Sequence, residues 1–309
     1  MPTHQFDGAH QLQYYRKFSI ITRYTLCLHS LLQTQMKLWG WYKMLKKIAA
    51  LTGLLVSCAG VAHAEEEKPV WKAPFGGTFT AGATFATDYS YRGISQTQRQ
   101  VAFQPTITYE TPTVSESLLL SAYVGAWASN VYFRGTNAAA EIDLIGGFRY
   151  KGFDNKFTVD LGYIRYNYPG AATTLMLDFN EFGLVVGYDF GPLQLSGAIR
   201  YSPKFFANSG IAWYKWAQAT VPLPFINFNL FNDPVSAKLF GTIGSQYVAR
   251  NVAYGIPNNG YWDWQLGATV TVYGVDLTFA YIGTNIDQAG CLNTLNCEDR
   301  FVFSVAKMF

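Results

Sequence analysis

Chemistry in this sequence has to come from carboxylates, arginines and hydroxyls. All four histidines (His4, His10, His29 and His63) lie ahead of a site, after Ala64, where the chain is expected to be cut. Without histidine there is no Ser-His-Asp or Cys-His site and no histidine ligand for zinc, so neither enzyme activity nor a cofactor or metal is expected; carboxylate-only catalysis is not excluded. Glu141, Asp143, Asp160, Glu181, Asp189, Asp263 and Asp276, with Arg149 and Arg200, each fall on the polar side of a stretch that alternates apolar and polar residues. Gathered on one inner surface, seven acids against two bases would favour cations, as rings of carboxylates do. The same charges could instead pair across a narrow interior and plug it. Both readings stand.

A second set lies in residues 87–100, TDYSYRGISQTQRQ. In an extended strand Asp88 and Arg92 stand roughly 13 Å apart, too far to pair. Continuing the parity of the preceding residues places Tyr89 and Tyr91 on the apolar side and Asp88, Ser90 and Arg92 inside. Gly93 then turns the chain into a first outer loop, and Arg92 is expected to reach a carboxylate on a neighbouring strand.

The elements that must position these residues follow a leader. Residues 44–64 read MLKKIAALTGLLVSCAGVAHA: a basic start at Lys46 and Lys47, a short apolar core and Ala62-His63-Ala64. This is a secretory signal peptide, and the apolar run falls short of the roughly 20 residues that a spanning helix needs. Residues 1–43 read as an upstream extension or misassigned start, and 65–75 as a short periplasmic segment. Leu55-Val56-Ser57-Cys58 competes as a lipobox, in which Cys58 would carry the lipid. Cleavage after Ala64 removes seven of the 23 Lys/Arg and one of the 20 Asp/Glu, turning the formal charge from +3 to −3. A basic nucleic-acid footprint disappears with it.

Beyond the leader, apolar residues recur with period two, the geometry of strands. Ile142, Leu144, Phe148 and Tyr150 oppose Glu141, Asp143 and Arg149, and Phe182, Leu184, Val186 and Tyr188 oppose Glu181 and Asp189. Leu277, Phe279 and Tyr281 oppose Asp276 and Thr278. The facing of residues 117–130, 211–222 and 235–249 is not settled by pattern. Long connections (90–100, 130–138, 168–176, 202–211, 250–261, 285–299) alternate with tight ones, except for 223–233. Aromatics stand at strand ends (Tyr89, Tyr91, Tyr109, Tyr150, Tyr166, Tyr168, Tyr201, Trp213, Trp262, Tyr281), as at a water–hydrocarbon boundary. The chain closes on FVFSVAKMF, with Phe301, Phe303 and Phe309 in the form of an outer-membrane assembly signal. A β-sandwich would also alternate, but its solvent face would be charged, and only 14% of these residues are. The pattern predicts an all-β transmembrane antiparallel barrel of about 12 strands over residues 76–309.

The run Thr87-Asp88-Tyr89-Ser90-Tyr91-Arg92-Gly93-Ile94-Ser95-Gln96-Thr97 resembles the start of the TorF-type porin family. Further matches are Tyr123-x-Gly-x-Trp127-x-Ser-Asn130, Glu141-x-Asp143, Gly162-Tyr163 with Tyr168-Pro169-Gly170, Tyr201-Ser202-Pro203, Gly210-Ile211-Ala212-Trp213-Tyr214 and Arg300-Phe301-Val302-Phe303-Ser304. The resemblance covers residues 76–309 and implies an outer-membrane barrel with pore function. The 223–233 connection and the cysteine-bearing loop lie outside its pattern.

Taken together, the readings anticipate passive diffusion of small hydrophilic solutes or ions through a net-acidic lumen. The anticipated partners are outer-membrane lipid and the barrel assembly machinery, with no nucleic acid; the oligomeric state is not readable. The alternative is a non-conducting barrel that acts through its outer loops. Cys291 and Cys297, in one such loop, read as a local disulfide, with free thiols as the alternative.

Overall fold

The computed structural model describes residues 76–114, 118–226, 228–230 and 233–309. The leader, its cleavage site, Cys58 and residues 65–75 lie outside them. Twelve strands make the wall: β1 (Thr78–Ala86), β4 (Ala102–Glu110), β5 (Leu120–Asn130), β6 (Ala140–Gly152), β7 (Phe157–Asn167), β8 (Phe179–Asp189), β9 (Gln194–Ser202), β10 (Ala212–Pro222), β12 (Asp233–Val248), β13 (Gly260–Val272), β14 (Val275–Thr284) and β15 (Arg300–Met308). Two-residue strands β2 (Ser90–Tyr91) and β3 (Ile94–Ser95) form a hairpin in the first outer connection, and β11 (Phe228–Leu230) pairs with the start of β12. That last pairing accounts for the long 223–232 connection at the inner end.

Each wall strand pairs antiparallel with its sequence neighbour in the wall, and β1 pairs with β15, so the sheet closes. Phe309 seals the seam: its N–H donates to the Ala81 carbonyl and its carbonyl accepts from the Ala81 N–H. Closure matters because a backbone group left unpaired in hydrocarbon costs several kcal/mol, and only a closed sheet has no edge. Three inner turns are short, those joining β6 to β7, β8 to β9 and β13 to β14. Tyr273 (φ 54°) and Gly274 (φ 66°) join β13 to β14, the two positive-φ positions of the turn whose twist matches a hairpin.

Strand parity sets the two faces. Leu144, Phe148, Leu161, Leu184, Ile199, Leu266 and Phe279 are all exposed on the outside. Parity also settles the strands that pattern left open: Val124, Leu239 and Ile243 are exposed outward, whereas the Tyr123, Tyr214 and Gln246 side chains bond within the barrel. Near the outer end, Tyr163, Phe182, Tyr201, Trp213 and Tyr247 occupy directly opposed positions on five successive strands. Near the inner end, Phe79 with Tyr109, Tyr150 with Phe157, and Tyr188 with Phe190 form ring pairs. Among the described residues no helix is long and apolar enough to cross a membrane; the strands cross it. A closed antiparallel barrel with an apolar outer band between aromatic rows belongs to the outer membrane.

The aromatic boundary needs one correction. Tyr89, Tyr91, Tyr166 and Tyr168 do not face lipid. Tyr89, Tyr166 and Tyr168 are buried, and Tyr91 packs edge-on against Tyr166 at 6.0 Å. The chain leaves the wall after Ala86, so strand parity no longer applies at Tyr89 and Tyr91. Tyr166 shares the inward parity of Glu181-facing positions and stacks on Phe179 at 4.1 Å.

Candidate lumen site

The centre of the site is residues 87–100, folded into the barrel. Asp88 organises the segment: Ser95 Oγ (2.6 Å) and Thr97 Oγ1 (2.8 Å) both donate to its Oδ1. Arg300, on the closing strand, donates from Nε to Asp88 Oδ2 and from Nη1 to the Gly93 carbonyl at 2.8 Å. These bonds pin the β2–β3 hairpin to the wall at its base, through Asp88, and at Gly93.

The hairpin tip is Arg92-Gly93, with φ of 51° and 82°, again a two-residue turn with both centres at positive φ. Gly93 is required by sterics as well as by φ. A Cβ there would lie 2.4 Å from Thr284 Cγ2 and 2.9 Å from the Gly283 carbonyl. The tip therefore butts against β13 and β14 and aims Arg92 across the lumen. Arg92 Nη2 donates to both Glu181 oxygens at 2.6 Å, and Nη1 donates to Gln246 Oε1 at 2.5 Å. Glu181 lies on β8, five steps round the wall from β1, and Gln246 lies on β12. The expectation of a partner on a neighbouring strand is thus corrected. A side chain at the tip of an inward hairpin spans the interior, whereas one on a wall strand would reach only next door.

Aromatic faces enclose the guanidinium. Its carbon lies 4.6 Å from the Tyr91 ring centre, 4.2 Å from Tyr214 and 5.6 Å from Phe205. Tyr166 OH donates to Glu181 at 3.1 Å. Beside this latch Tyr89 OH donates to Glu141 at 2.8 Å. Trp127 packs on Tyr89 at 5.3 Å.

Asp143 and Asp263 are buried beside the latch. Asp263 accepts from Tyr214 OH at 3.0 Å, while its second oxygen and one oxygen of Asp143 lack hydrogen-bond partners. Arg200 lies over Gly183, where a Cβ would meet its Nη1 at 3.3 Å.

Nearer the inner end is a second cluster. Arg149 bridges Glu110 (2.7 Å) and Asp160 (3.0 Å) and lies 4.8 Å from the Tyr123 ring centre. Tyr123 OH donates to Asp160 at 2.7 Å, and Ser121 Oγ to Glu110 at 2.5 Å. Asp189 and Asp276 stand at the inner rim rather than beside either cluster. Asp189 caps its turn by accepting from the Gly191 N–H at 2.7 Å, and Asp276 accepts from Thr271 Oγ1 at 2.5 Å. Their strands simply end there.

Around these clusters the wall presents Gln, Thr and Ser. Two cavities of about 300 Å³ and 290 Å³ occupy the interior, and Arg92, Tyr214, Thr242 and Gln265 line both. Cys291 and Cys297 are joined by a disulfide. Their loop, 285–299, backs the hairpin: Ser95 N–H donates to the Asn296 carbonyl at 2.8 Å, and Arg99 Nη2 donates to the Leu295 and Glu298 carbonyls.

Sequence reasoning missed Arg300, Glu110, Gln246, Tyr123 and Tyr214. Arg300 was within reach, since with Phe301 and Phe303 outward, residue 300 must point inward. Gln246 was not, because the facing of its strand could not be fixed by pattern. Of the residues missed, Arg300 adds a base and Glu110 an acid, so the excess of carboxylates in the lumen is unchanged.

A family model described as "Bacterial protein of unknown function (Gcw_chp)" matches residues 72–309. The sequence matches no curated protein. Among solved structures, LpxR from Salmonella typhimurium aligns over 74% of this chain and 99% of its own, at 10% identity and TM-score 0.40. The beta domain of the Bordetella autotransporter BrkA aligns over 74% and 98%, at 12% identity and TM-score 0.41. An outer membrane channel from Pseudomonas putida F1 aligns over 79% and 100%, at 7% identity and TM-score 0.36.

Proposed function

The chain belongs to the Gcw_chp family of bacterial proteins, and we propose that it is an outer-membrane channel for passive diffusion of small hydrophilic solutes or ions. The observation that carries this reading is the polar interior. Two cavities walled by glutamine, threonine and charged side chains lie inside a closed barrel, so side chains leave polar space open there instead of filling the interior throughout. The resemblance of residues 87–97 to TorF-type porins supports the same reading. A leader cut after Ala64 and an outward-facing Phe301, Phe303 and Phe309 suit export and recognition by the barrel assembly machinery.

Carboxylates outnumber guanidiniums along the lumen, so the channel prefers cations. Passage runs past the Arg149 cluster and then past the inward hairpin, whose Arg92 reaches across the interior. One observation favours a second reading, a barrel without conductance that acts through its outer loops: Arg92 bonds across the interior to Glu181 and Gln246.

Planar-bilayer recording separates the two. The channel reading predicts discrete conductance steps with a cation-selective reversal potential in a salt gradient, reduced in Asp160→Asn. Silence at all voltages, in wild type and in Arg92→Ala alike, establishes the second reading instead.

A further inference from the structure

Above the latch, outside the membrane-spanning part of the barrel, the outer loops enclose a cavity of about 350 Å³. Its walls are aromatic. Phe133, Tyr168 and Phe206 pack tilted or edge to face with ring centres 5.6, 5.5 and 5.4 Å apart, and Tyr254 adjoins Phe206 at 6.3 Å. The floor is Tyr91 and the fully buried Phe205, the same rings that cover the Arg92 guanidinium from above. The surrounding loop tips carry unusually exposed apolar side chains for positions in water: Tyr132 (58%), Leu292 (74%) and Val252 (85%). Apolar residues clustered in this way at a polar surface mark a binding site.

One charge lines this cavity. Arg134 is exposed at its edge, and among the described residues no carboxylate pairs with it. The other polar groups in the lining, including Ser95, Gln96, Gln98, Thr136, Thr294 and Asn296, are uncharged.

From an apolar, ring-walled cavity of small-molecule size with a single free guanidinium at its mouth, we infer that the outer loops form a binding site for a small ring-bearing carboxylate. The rings of the ligand pack edge-on or stacked against Phe133, Phe206 and Tyr254, as aromatic pairs prefer. Its carboxylate stays at the wet rim, where Arg134 meets it with charge-assisted hydrogen bonds. A neutral hydrophobe would leave Arg134 idle, and a cation would meet it as a like charge. The site does not depend on whether the barrel conducts. It does sit directly on the hairpin, since Tyr91 contributes to the cavity floor and to the cover of Arg92.

The test is equilibrium dialysis of the mature barrel in nanodiscs, with 2-naphthoate as probe, the uncharged 2-naphthylmethanol as comparison and empty nanodiscs as blank. We expect saturable binding of 2-naphthoate above the blank, weakened at least tenfold by Phe206→Ala or Tyr254→Ala. Arg134→Ala should abolish the preference for naphthoate over the alcohol. Heat-modifiable gel migration reports whether each variant is folded. If an aromatic variant fails to fold, the exposed Arg134→Ala still carries the test through the probe preference. Binding no greater than to empty nanodiscs, or a naphthoate preference that survives Arg134→Ala, overturns the assignment.

Discussion

Arg92 gathers several buried interactions on one side chain: a two-pronged bond to a buried carboxylate, an amide partner and three aromatic faces. Removing one member of a buried ion pair costs about 3–5 kcal/mol, because the survivor is left charged and alone. Here that cost falls on the hairpin rather than on the wall, whose strands keep every ladder bond. Arg92→Ala should therefore speed hydrogen exchange at the hairpin amides, notably Ser95 and Gln96, by about 10²-fold or more, with wall-strand exchange unchanged. Arg92→Ala combined with Glu181→Gln should recover part of that protection, since no lone carboxylate remains. Equal exchange in wild type and Arg92→Ala would contradict the latch. That Arg92 meets a lumen carboxylate was legible from the sequence; which carboxylate was not. The sequence shows Arg92 and Glu181 separated by four wall strands, and nothing in local pattern reports a contact across a barrel's interior.

Among the elements, the first outer connection departs furthest from its sequence reading. Extending the parity of β1 through Tyr89 and Tyr91 assumed that the chain stays in the wall. The Arg92-Gly93 pair is in fact the turn of a hairpin, disguised because such turns usually carry Asn or Asp before the glycine. Gly93 is the position where that turn is least tolerant, because positive φ and contact with Thr284 and Gly283 coincide. Gly274 makes a useful comparison: it also has positive φ, but an added Cβ there meets nothing within 4 Å. Alanine at position 274 should cost only the conformational term, about 1 kcal/mol, whereas Gly93→Ala should dislodge the hairpin. Exchange at residues 88–100 distinguishes them: fast in Gly93→Ala and unchanged in Gly274→Ala. The 285–299 loop supports the hairpin from outside. Closing so short a loop restrains it by about 2 kcal/mol in the chain-entropy view. Replacing Cys291 and Cys297 by serine should thus expose 285–299 to proteinase K added outside intact cells, with the wall strands spared. Resistance equal to wild type would show that the disulfide is not what holds the loop.

For the molecule as a whole, the wall was the legible part. Period-two alternation fixes the inner and outer faces because one residue of slip would turn every apolar side chain inward. Alternating loop lengths gave the up-and-down order, and the closing strand followed from FVFSVAKMF. What fills a barrel is less legible, because interior contacts join strands far apart in sequence and loops fold without a period. The result is a polar-walled cylinder in three tiers: the Arg149 cluster near the inner end, the Arg92 latch across the middle and an aromatic vestibule outside. Open space adjoins the latch, with Arg92 lining both interior cavities, so in the proposed channel the latch would limit passage. Swelling of liposomes containing the mature protein, challenged with a small neutral sugar, tests this most directly. Swelling above empty liposomes is predicted for wild type, and faster swelling for Arg92→Ala at equal folded protein. If neither exceeds empty liposomes, the channel account is contradicted.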